Sequence, residues 1–188
     1  MLFLNCTNIL IFFYVFKYKF KLMATQENHN PITEDDRRFM KMACDLACEN
    51  IDRGGGPFGA VIVRNGEVLA AAGNSVTLDN DPTAHAVVNA IRRACALTGN
   101  FKLDDCVVYS SCEPCPMCLS ALYWAGVRRI YYGNTAADAD RIDFGDAFIY
   151  KEIERPHLER SIPCIHIQGT DAIKAFNKWA AKEDKIAY

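Results

Sequence analysis

Two short apolar runs, 59–64 and 67–72, flank Asn65-Gly66, and helix-like and strand-like segments then alternate as far as residue 132. Asn-Gly accepts positive φ at both central positions of a tight turn, so it closes a two-residue hairpin. A helix is predicted from Asp81-Pro82 to about Ala96, because proline suits the first helical position. Residues 106–110 (CVVYS) read as a strand, and 115–124 as a helix with Pro116 in its first turn and Gly126 past its end. Residues 128–132 (RRIYY) are a further strand. Counted from the hairpin's second strand, the order β–α–β–α–β predicts a sheet with parallel members and helices on both faces. Upstream, Phe39, Met42/Ala43, Leu46/Ala47 and Ile51 recur at helical spacing over 34–52, with Thr33 as cap and Gly54-Gly55-Gly56-Pro57 as terminator. Residues 144–153 and 171–183 look helical, and 162–167 extended.

The chain has 188 residues, 51% hydrophobic and 23% charged, which is the composition of one globular domain. A domain of this length buries roughly 70% of its unfolded surface and needs no disulfide scaffold. Lys+Arg number 21 and Asp+Glu 23, a net charge of −2 that lacks the basic footprint of a non-specific nucleic-acid binder. Nine cysteines, an odd number, crowd partly into Cys112-Glu113-Pro114-Cys115-Pro116-Met117-Cys118, which points to metal chemistry in a reducing compartment. The other cysteines read as small buried apolar side chains.

Residues 1–22 (MLFLNCTNILIFFYVFKYKFKL) do not fit this domain. The apolar stretch before Lys17 is shorter than the ~20 residues of a spanning helix, and its lysines follow the run where a secretory signal carries them ahead. Met23 is expected to be the initiator, with 1–22 a spurious, non-core extension and 23–188 the single domain. The rival reading is a membrane anchor.

His85 falls in the first turn of one predicted helix, and Cys115 and Cys118 in the first turn of the next. Residues three apart share a helix face, and unpaired N–H groups at a helix start favour thiolate over thiol. One imidazole and two thiolates suit Zn²⁺ and leave the fourth tetrahedral position for a water whose pKa falls to about 7. A second geometry stays open: Cys112, three residues before Cys115, would close a four-ligand structural site with the other three.

These residues resemble the zinc-dependent deaminases of nucleobases and nucleosides, whose signature is H-x-E followed by P-C-x-x-C. The likeness is closer still to the guanine and guanosine deaminases of that family. It extends from about residue 34 to 188 through GGGPFGAVIV (54–63), NDPTAHA (80–86), LDDC (103–106), SCEPCPMCLSALYWA (111–125), FIYKEI (148–153) and the terminal Tyr188. The resemblance implies a cytidine deaminase-like three-layer α/β/α sandwich with a five-stranded mixed sheet, a cytoplasmic homodimer and no membrane or strong nucleic-acid binding. It implies one zinc ion per chain on His85, Cys115 and Cys118. It implies purine contacts from Asn74, Phe58, Ala86, Trp124, Asp146 and Tyr188. Asp146 would recognise the exocyclic amine and ring N–H of guanine, and Tyr188 would close the pocket, in bacterial members from a swapped C-terminal segment of the partner subunit. Each has an ordinary reading too: Asn74 as a turn residue, Phe58 and Trp124 as core, Asp146 as a helix cap, Tyr188 as a frayed end.

The departure from the signature is Val87, which stands where the catalytic Glu is expected. A valine neither accepts a proton nor delivers one to a leaving amine, and such help is worth about 10²–10⁴-fold. Glu113 and Asp146 are the carboxylates that could stand in. Three functions follow from the sequence: hydrolysis of guanine to xanthine and ammonia, or its guanosine equivalent, slowed by Val87; a zinc-bound purine-binding homologue without turnover; and a tRNA adenosine deaminase, which the acidic balance disfavours.

Overall fold

The computed structural model describes residues 31–186; the expectations for residues 1–22, Met23 and Tyr188 lie outside them. Helix α1 (Glu34–Asp52) has the predicted bounds and is followed by β1 (Gly56–Arg64) and β2 (Glu67–Asn74). Asn65 and Gly66 join these strands with φ of 51° and 81°, the turn that the Asn-Gly pair predicts. Then come α2 (Val76–Asp79), α3 (Ala86–Thr98), β3 (Cys106–Cys112), α4 (Pro116–Ala125), β4 (Arg129–Asn134), α5 (Ala136–Asp140), α6 (Ala147–Glu154), a 3₁₀ turn (His157–Glu159) and α7 (Ala172–Ala180).

The strands form one mixed sheet in the order β2-β1-β3-β4, with β1 antiparallel to both neighbours and β3 parallel to β4. Alternate residues of β1 face opposite layers, as the two-residue period of a strand dictates. Ala60 and Ile62 pack with Ala86, Val87, Ala90 and Ala94 of α3 and with Cys118, Leu122 and Ala125 of α4. Val61 and Val63 pack with Phe39 and Ala43 of α1 and with Tyr109 of β3. The result is the expected α/β/α layering.

Four strands, not five, are present among the described residues. The extended candidate, 162–167, pairs with no strand; Pro163 lacks an N–H for a ladder, and Ile162, Ile165 and Ile167 are exposed. Helix α3 also starts later than predicted. The Asp81 carboxylate accepts from the backbone N–H of Thr83 (2.8 Å) and from its hydroxyl (2.7 Å), so Asp81-Pro82 builds a turn and helix begins only after His85. Residues 144–146 likewise precede α6, and α7 is shorter than the predicted 171–183.

The glycine-rich entry to β1 has a packing reason. Buried Asn50 of α1 donates to the carbonyls of Gly56 and Asn74, both at 2.7 Å, and so ties the start of β1 to the end of β2. Side chains at Gly55 or Gly73 would collide with that amide. The eight described cysteines are free. Cys106 is buried as expected, whereas Cys48 and Cys164 are exposed and are not core residues. Among the described residues no helix is long and apolar enough to cross a membrane.

Candidate metal centre and purine cavity

Two helix starts meet on one side of the sheet. His85 is the N-cap residue of α3 and Cys115 that of α4, both with extended backbone. Pro116 opens α4 and Cys118 lies within its first turn. The position of His85 is held by Asn89, one turn on, whose amide donates to the carbonyls of Ala84 and Gly73 (both 3.1 Å) and to the Ser75 hydroxyl (2.9 Å). These bonds moor the start of α3 to the end of β2. The loop before α4 is fixed from the other side, where the Tyr150 hydroxyl donates to the Pro114 carbonyl at 3.2 Å.

Both cysteine sulfurs stand 3.5 Å from His85 Nδ1, and the three donors lie within 4.8 Å of one another. Sulfur at about 2.3 Å and nitrogen at about 2.0 Å from one tetrahedral zinc ion are about 3.5 Å apart, so the donor set fits zinc in chemistry and in size. Among the described residues this is the single group of its kind. Cys112 is not part of it: its sulfur turns to the Thr135 carbonyl at 3.7 Å, and the four-ligand alternative falls.

Electrostatics agree with a metal-poised pair. The Cys115 thiol is pulled down, first by a hydrogen bond from Cys118 and then by contact with His85. Cys118 is pushed up, because it carries the shared proton and is buried, while the backbone N–H of Val88 acts in the opposite sense. His85 is pushed up by its contact with Cys115.

The triad lines a cavity of about 230 Å³. Asn74, Phe58, Ala86, Val87 and Asp146 all line it. Val87 is only 4% exposed, directly behind His85 on α3. Asn74 is buried, and its amide oxygen accepts from the Val76 N–H at 3.2 Å. Asp146 Oδ1 is buried with no hydrogen-bond partner, and its carboxyl is pushed up by burial and by the neighbouring Cys115. Trp124 does not line the cavity; it is 65% exposed near the far end of α4.

Glu113 also lines the cavity, but one of its oxygens accepts from the Ala136 N–H at 2.9 Å, at the start of α5. Sequence reasoning missed Phe144, whose ring meets Phe58 edge-on (centroids 5.0 Å apart, planes at 86°), and it missed Asn89. Neither belongs to a motif. The one local hint at Asn89 is a polar residue within the otherwise apolar run Ala86–Ile91 that opens the helix.

Known proteins share this construction. The family model for the cytidine and deoxycytidylate deaminase zinc-binding region matches residues 33–134. Guanine deaminase of Bacillus subtilis is 50% identical over 151 residues, covering 80% of this chain and 97% of that protein. The crystal structure of the Bacillus subtilis guanine deaminase superposes with a TM-score of 0.79 at 49% identity, covering 81% of this chain and 98% of that one. A tRNA-specific adenosine deaminase of Agrobacterium fabrum is 38% identical over 110 residues, 58% of this chain and 72% of that protein. The chain therefore belongs to the cytidine and deoxycytidylate deaminase zinc-binding family, with His85, Cys115 and Cys118 placed to hold its one metal ion.

Proposed function

We propose that this protein binds guanine and hydrolyses it to xanthine and ammonia, at a rate held low by Val87. The observation that carries the reading is a zinc-sized His-Cys-Cys triad lining a base-sized cavity that also holds Asn74 and the unpartnered Asp146. Zinc, when bound there, supplies an activated water at neutral pH. The remaining roles belong to the chain itself. Because the Asn74 oxygen is engaged by Val76, its amide N–H₂ is the end that donates to a purine ring acceptor. Asp146 accepts from the exocyclic amine and ring N–H of guanine, which would give its buried oxygen the partners it lacks. Phe58 supplies an apolar wall, and Ala86 lets the helix start approach the ligand closely. Val87 presents only methyl groups where proton transfer to the departing ammonia is needed.

Free base is favoured over nucleoside because a guanine deaminase is 50% identical over 97% of its own length. The identity to a guanine deaminase over 97% of that protein favours guanine over the tRNA adenosine reading. We further place the protein in the cytoplasm, with 23–188 as its domain, and as a homodimer in which the C-terminal segment of the partner completes the pocket through Tyr188. Exposure of Leu158, Ile162, Phe176 and other apolar residues of that segment supports the exchange. Release of ammonia from guanine, guanosine and adenosine-containing RNA, with this chain and with Val87→Glu, tests the assignment. Guanine is expected to be the preferred substrate of both, slow in the first and fast in the second. Preference for RNA adenosine would overturn it.

A further inference from the structure

The segment that delivers Asp146 to the cavity also delivers Phe144. After α5 the N–H groups of Ile142 and Phe144 both donate to the Ala139 carbonyl (3.1 and 3.0 Å), and Asp143 N–H donates to Asp140 (3.2 Å). Asp143 takes a φ of 65°, which reverses the chain there. Phe144 leaves this turn edge-on to Phe58 and lines the cavity, yet it remains 47% exposed. On the same cavity Cys118 and Val87 are 3% and 4% exposed, and His85 and Cys115 are half-buried. Phe144 therefore stands nearer the rim than the metal triad.

This geometry has a consequence for ligand choice. The amine-bearing carbon of guanine lies in the six-membered ring, and the nitrogen that carries the sugar in a nucleoside lies in the five-membered ring. A purine that brings its reacting carbon to the metal triad turns its sugar-bearing edge to the rim. We propose that Phe144 is the residue that confines this site to free purine bases, by occupying the space a sugar would take. The proposal rests on the reading of the cavity as a purine site.

The test is equilibrium binding of guanine and guanosine to the zinc-loaded chain and to Phe144→Ala and Phe144→Tyr. The parent is expected to prefer guanine. Phe144→Ala is expected to cut that preference by about tenfold, through tighter guanosine and weaker guanine binding, while zinc content and melting temperature stay unchanged. Phe144→Tyr, which keeps the ring, is expected to retain it. An unchanged guanine-to-guanosine ratio in Phe144→Ala, with guanine still bound by the parent, overturns the role of Phe144 and leaves the purine site standing. A parent that binds neither purine overturns both.

Discussion

Helices α3 and α4 both begin at the cavity, and each places a metal donor at its N-cap: His85 with φ −68° and ψ 151°, Cys115 with φ −62° and ψ 167°. Beyond the caps they differ. The first turn of α4 adds Cys118, a second donor for the same ion, whereas the first turn of α3 adds Val87, a side chain with no chemistry. The three donors of a metal site are in place at the caps and Cys118. Position 87, where the family signature carries a carboxylate, has a valine that offers no proton-transfer group. On the function proposed above, one helix start serves metal holding and proton handling separately, and one side chain bears on the second.

The sharpest way to break the contrast is to damage its complete half. Cys118→Ala removes one of three ligands, and zinc affinity is expected to fall by more than the ~10–100-fold typical of losing an outer partner; retained stoichiometric zinc on elemental analysis would refute the ligand set. A smaller effect is expected at Asp146, beside the triad on the same cavity. Asp146→Asn replaces a charged acceptor, worth about 1.5–3 kcal/mol in a hydrogen bond, so guanine affinity should drop roughly 10–100-fold with zinc content unchanged, as read by calorimetry. Asn89→Ala removes three hydrogen bonds that moor His85. It should cost about 1–3 kcal/mol of stability in denaturant titration, with looser zinc.

Proton release gives the mildest test. In the metal-free chain Cys118 is pushed up and Cys115 pulled down, because the two sulfurs share a hydrogen bond and hence a proton. Zinc needs both as thiolates, so binding near neutral pH should expel that proton, and acidification should weaken binding. Calorimetry in buffers of different ionisation enthalpy measures this release. A pH-independent affinity would contradict the assignment.

The hairpin and the metal triad were legible because each rests on local chemistry: positive φ at Asn65-Gly66, and donors grouped at helix starts. Turn chemistry at Asp81 was harder to read, since the same Asp-Pro pair opens helices elsewhere and the Thr83 bonds decide the outcome. Trp124 shared a motif segment with Cys118, but 65% exposure on α4 removes it from the cavity of the single chain. Phe144 left no trace in the pattern. Its place depends on a loop reversed at Asp143 and on a ring 86 residues earlier in sequence. The missing fifth strand has a similar origin: an apolar run such as 162–167 becomes a strand only where a sheet edge receives it.

The proposed function pairs an intact metal site with a missing proton carrier. Guanine turnover by this chain and by Val87→Glu, each with zinc confirmed at one per chain, tests it most directly. The variant is expected to be faster by about 10²–10⁴-fold with similar guanine affinity. Equal turnover in the two proteins would contradict it.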